Sequence, residues 1–86
     1  MNVIVTTHAY FRCAERFRDF DTLLIEEEVK AGIEAGRVSD ERPAGYPQNP
    51  HPTSIYVWTA DGERLYAVKA ADNALVVSTV MKRINM

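Results

Sequence analysis

Residues 55–81 read IYVWTADGERLYAVKAADNALVVSTVM, and this stretch decides the fold. Ile55, Val57 and Thr59 alternate with Tyr56 and Trp58, the two-residue period of a strand. Asp61-Gly62 closes a tight hairpin, because glycine supplies the positive φ such turns require. Arg64 to Ala70 then alternates Leu65 and Ala67 against Tyr66 and Val68, and Asp72-Asn73 makes a second turn. Leu75 to Met81 is the last run, apolar enough to be a central strand. Three strands joined by two short turns predict an antiparallel meander.

Upstream the pattern changes. Asn2 to Thr6 is a short β-branched run, read as the first strand, with Thr7 placed to cap a helix. From His8 to about Asp19 the period is helical: Tyr10, Cys13, Ala14 and Phe17 fall at i, i+3, i+4 and i+7 and form a core-facing stripe. The opposite flank carries His8, Arg12, Glu15, Arg16 and Asp19. Asp21 or Thr22 caps a second helix running to about Ala35, with Glu26, Glu27 and Glu28 early in it, towards the positive end of its dipole. Ile25, Val29 and Ile33 form its buried face, with Leu23 and Leu24 nearby, and Gly36 stops it. Gly32 inside this helix costs roughly 1 kcal/mol against alanine, which implies close packing or a weak second half. A short strand near Arg37 to Ser39 is expected ahead of residues 39–53, which hold all four prolines and read as an ordered or semi-extended loop. The order β-α-α-β-β-β, with strands grouped after the helices, predicts one α+β domain over residues 1–86.

Composition narrows the function. The apolar fraction of 47% and charged fraction of 26% exclude a disordered chain. No apolar run approaches the roughly 20 residues that span a bilayer, and the first residues lack the charged and long apolar regions of a secretory signal. A cytoplasmic protein with no membrane partner is expected. Cys13 alone forms no internal disulfide and, on the apolar stripe, reads as a buried inert thiol. With His8 and His51 it is too scattered for a structural zinc site, so neither a metal nor another cofactor is expected. There is no Gly-rich phosphate loop and no Ser-His-Asp order. A net charge of −2 opposes general attraction to nucleic acid, so any RNA role requires a local patch.

The first helix offers that patch. His8, Arg12, Glu15 and Arg16 fall at i, i+4, i+7 and i+8, on one face over about 12 Å of axis. His8 or Glu15 can accept the proton of a ribose 2′-hydroxyl, and Arg12 and Arg16 can stabilise charge on phosphoryl oxygens. The plain alternative is a solvated face in which Arg12–Glu15 and Arg16–Asp19 are ordinary i, i+3 pairs. Lys69 and Arg83 add positive charge at one end of the sheet, and Thr79 is either buried or points into a cleft; these three are the further RNA-contact candidates. Tyr56, Trp58 and Tyr66 either stack bases or pack. Tyr46 and His51, in the proline-rich loop, are candidate contacts for a protein partner.

The run His8-Ala9-Tyr10-Phe11-Arg12-Cys13-Ala14-Glu15-Arg16 resembles the H-A-x-x-R-x-x-E-R helix of a widespread bacterial and phage family of small uncharacterised domains. Glu26 to Gly36 resembles that family's acidic second helix, and Val76-Val77-Ser78-Thr79-Val80 its final strand, so the likeness covers most of the chain outside the proline-rich loop. The family is similar in fold to the RelE-like ribonuclease toxins of the barnase, EndoU, colicin and RelE group. That resemblance implies a four- or five-stranded antiparallel sheet with both helices on one face. It also implies a metal-independent endoribonuclease of toxin type that acts on RNA, with a host or antitoxin protein as a further partner. His8, Arg12, Glu15 and Arg16 match the helix motif and Thr79 the last strand. RelE-type toxins are strongly basic and this chain is acidic, which sets it apart from ribosome-dependent messenger cleavage. Two other readings stand beside the toxin. One is a non-catalytic phage or mobile-element protein that inhibits a host protein, and the other a domain, monomeric otherwise, whose sheet edge pairs with itself as a homodimer.

Overall fold

The two turns of the meander form where their dipeptides stand. Gly62 takes φ +75° and Asn73 φ +61°, the left-handed conformations that let each strand fold straight back. The structure, a computed structural model, describes residues 2–18, 21–48 and 55–84. Its elements are β1 (Val3–Val5), α1 (Thr7–Phe17), α2 (Thr22–Glu34), β2 (Val38–Ser39), β3 (Ile55–Trp58), β4 (Arg64–Ala71) and β5 (Ala74–Lys82). The protein is α+β, with two helices and a five-stranded sheet in the order β1-β5-β4-β3-β2.

The sheet is mixed, which corrects the wholly antiparallel expectation. Three antiparallel pairings separate β2 from β5, so β5 runs against β2. The two helices return the chain so that β1 also runs against β2, and β1 therefore pairs parallel with β5, Val3 opposite Leu75 and Val5 opposite Val77. The last strand is thus internal, flanked by β1 and β4, as its apolar composition predicts.

Both helices lie on one face. Ala9 and Cys13 of α1 and Ile25 and Val29 of α2 pack with Val57, Tyr66, Val68, Val77 and Val80 in one buried cluster. A bulge makes this possible on β5. Ala67 pairs with Thr79 but Val68 with Val77, leaving Ser78 as the extra residue, its hydroxyl donating to the Ala67 carbonyl at 3.1 Å. The inserted residue shifts the alternation, so Val77 and Val80 both reach the helix-covered face. The other face has a small core of its own, in which Tyr46 covers Leu65, Ala67 and Met81 beside Tyr56 and Trp58. Residues 65–68 are consequently buried on both faces.

Candidate functional site

α1 is oriented by one threonine. Thr6, not Thr7, is the N-cap: its Oγ1 accepts from the Ala9 amide at 3.1 Å and donates to the Val77 carbonyl at 2.9 Å. The cap therefore pins the start of the helix to the middle of β5. With that phase fixed, Ala9 and Cys13 face the sheet, while Tyr10, Ala14 and Phe17 are only half-buried. The buried stripe is turned towards Arg16 compared with the expected one. Arg16 is accordingly half-buried, and its Nη1 donates to the Val80 carbonyl at 2.6 Å. Asp19, its expected partner on the helix, lies outside the described residues.

The remaining members of the row face water. His8 is exposed in the first turn. Arg12 Nη1 meets Glu15 Oε1 at 3.2 Å, with the two side chains 38% and 65% exposed. Such a pair is worth a few tenths of a kcal/mol and opens readily for a competing anion. Phe11 stands on the same outward side, 60% exposed, its ring 5.7 Å from that of Tyr10 in an edge-on arrangement. The signal that distinguishes it was in the sequence: an aromatic off the helix's apolar stripe, three residues after His8 and four before Glu15 on the polar flank.

A second polar group lies on the inner side of α1. Arg64 sits over the Phe17 ring, 4.4 Å from its centre, with Nη1 at 3.7 Å from Cys13 Sγ and 3.6 Å from Glu28 Oε1. The Tyr66 hydroxyl donates to Glu28 Oε2 at 3.2 Å. Burial is the main reason this phenol resists ionisation far beyond the usual range; the Glu28 charge adds to it and Arg64 opposes it. The group ties α1, α2 and β4 together, a structural task consistent with its depth.

The other candidates do not join the α1 row. Strand alternation places Lys69 and Thr79 on the sheet face turned away from the helices, Lys69 exposed and Thr79 only 5% exposed. Arg83 and Tyr46 do come together, in a shallow cleft of about 290 Å³ at the β3–β4 turn. Tyr46 is buried rather than presented to a partner. Its hydroxyl donates to the Gly62 carbonyl, and burial raises its pKa above the usual phenol value, with Arg83 opposing. It fastens the proline-rich loop to the hairpin. His51 lies outside the described residues. Of the aromatics weighed for stacking, Tyr56 and Trp58 are half-buried around Tyr46 and Tyr66 is in the helix-side core, so the three share no surface.

Among the described residues no group of three or more histidine, cysteine, aspartate or glutamate side chains is placed to hold a metal ion, and no helix is long and apolar enough to cross a membrane. No protein-family model matches the chain, and neither curated proteins nor solved structures provide a match.

Proposed function

We propose that this domain is a RelE-like, toxin-type protein that acts on RNA from the exposed face of α1 by metal-independent chemistry. The observation that carries the reading is the outward row of exposed His8, half-buried Arg12 and exposed Glu15, on a helix whose phase is fixed by Thr6 and by Arg16 on the Val80 carbonyl. The anchored helix backbone fixes the spacing from which these side chains reach a substrate, the starting point for proton transfer and charge stabilisation.

The step it suits is transesterification at a ribose. His8 or Glu15 removes the 2′-hydroxyl proton, and the 2′-oxygen attacks the adjacent phosphorus. The bond from phosphorus to the 5′-oxygen breaks, and the leaving oxygen takes up a proton from the other of the two groups. Arg12 exchanges Glu15 for the phosphate and stabilises the charge on its oxygens. Arg16, already bonded to Val80, positions the helix. The acidic balance of the chain opposes general attraction to RNA, so the contact is confined to this one face.

The test is RNA cleavage by the purified protein, with and without ribosomes and with and without chelator, against a His8→Ala/Arg12→Ala variant. Both side chains are at the surface, so the variant should melt like the wild type. Cleavage that survives chelation and is lost in the variant supports the proposal. A folded wild type that leaves RNA intact under every condition refutes it and points to a host protein as the target.

A further inference from the structure

We infer that Phe11 is a stacking platform for an unpaired base, so that the α1 face takes single-stranded rather than duplex RNA; this rests on the reading of that face as RNA-acting. Isolated apolar side chains at a surface are ordinary, and Ile4, Leu23 and Ile84 are also exposed. Phe11 differs from these in chemistry, in position and in support. It is aromatic, and every base has a π-face that an aromatic ring can meet. It follows His8 by three residues and precedes Glu15 by four, so on an α-helix it neighbours both. It points directly away from the side that Ala9 and Cys13 bury. The half-buried Tyr10 ring stands edge-on to it, at an interplanar angle of 66°, which limits how the exposed ring can turn.

Two cations on the same helix are within a strand's reach for the phosphates next to a stacked nucleotide. Arg12 is the next residue, and Arg18 closes the helix in the left-handed conformation, exposed. In a duplex the bases are covered by their neighbours and only edges are offered in the grooves, so the ring would find no partner there. An unpaired nucleotide offers its face to Phe11 and brings its sugar beside His8 and Glu15.

The experiment measures binding of a labelled short 2′-O-methyl oligoadenylate by fluorescence anisotropy, beside a duplex of the same length. The 2′-O-methyl group removes the nucleophile, so binding is read whether or not the protein cleaves RNA. Phe11→Ala should weaken single-strand binding by about five- to a hundredfold, the range of one lost base stack, and leave duplex binding unchanged. Phe11→Trp should restore it. Equal single-strand binding by wild type and Phe11→Ala overturns the stacking inference while leaving the RNA-acting face in place, as does an equal loss on duplex. A wild type that binds neither probe overturns both the stacking inference and the reading of the face as RNA-acting.

Discussion

Replacing Gly32 with alanine sets two effects of opposite sign against each other. Gly32 is interior to α2, where alanine is better by about 1 kcal/mol in helix propensity. A Cβ there would overlap Val57 Cγ1 and come within 3.2 Å of the Trp58 carbonyl and 3.8 Å of the Arg37 carbonyl. Neither close neighbour yields easily. Val57 is fully buried and β-branched, so its rotamer is fixed by its surroundings. The Trp58 carbonyl already accepts from Arg37 Nε at 2.9 Å, and the Arg37 amide donates to the Gly32 carbonyl at 2.8 Å. Overpacking of this kind costs roughly 1–3 kcal/mol, so the clash wins. Gly32→Ala should lose about 1 kcal/mol net and about 4–8 °C in melting temperature, since a domain of this size shifts by that much per kcal/mol. Urea unfolding of Gly32→Ala, Val57→Ala and the double variant isolates the cause. In the Val57→Ala background the overlapping methyl is gone, and the same glycine replacement should become neutral or stabilising. A Gly32→Ala protein as stable as wild type, or an identical loss in both backgrounds, would refute the close approach of α2 to β3.

Tyr66→Phe removes the hydroxyl that donates to Glu28 and should cost about 1 kcal/mol at neutral pH. Because the folded state raises the tyrosine's pKa, the unfolded chain loses this proton first, near pH 10, while the native state keeps it. The contribution is complete below that pH and is lost above it, by up to about 1.4 kcal/mol per pH unit, so urea midpoints from pH 8.5 to 11 should fall more steeply for wild type than for Tyr66→Phe. Parallel slopes would show that the hydroxyl is not held as described. Glu15→Gln frees Arg12 from its carboxylate partner, so binding of a non-cleavable RNA should tighten a few-fold while cleavage of ordinary RNA falls, because Glu15 is one of the two proton-transfer groups. Tighter binding with unchanged cleavage would refute the two-group step.

What was legible in the sequence is what short-range chemistry dictates. Asp61-Gly62, Asp72-Asn73 and Gly36 each carry a backbone requirement within one or two residues, and each turn or stop stands where its residues are. The spacing of His8, Arg12 and Glu15 likewise follows from the helix alone. The errors all involve partners far along the chain. The parallel pairing of β1 depends on where two helices return the strand, and the bulge at Ser78 on how Val77 and Val80 share one face. Thr6 outcompetes Thr7 as the cap because its hydroxyl also reaches Val77, 71 residues away, and that choice turns the buried stripe onto Ala9 and draws Arg16 to Val80. Tyr46 looked like an exposed loop aromatic because nothing near it in sequence reveals that the second face of the sheet needs a cover.

The distribution of charge reconciles the proposed RNA-acting face with an acidic chain. Between Thr7 and Arg18 three arginines stand against one glutamate, whereas Asp21 to Glu34 holds five carboxylates against one lysine. Salt screens charges over about 8 Å at physiological strength, so an RNA strand at α1 responds to that helix and not to the net −2 of the molecule. The acidic second helix also disfavours docking on its own side, which leaves fewer wrong orientations. Yet the basic face is thin. Arg16, Arg37, Arg42 and Arg64 each place a guanidinium nitrogen on a carbonyl or carboxylate of the fold itself. With few cations to neutralise phosphates, little affinity comes from counterion release, which contributes about 0.7 to the salt slope per contact on a single strand. A surface of this kind must draw much of its affinity from contacts that salt does not weaken. On α1 the exposed group of that type, among the described residues, is the ring of Phe11.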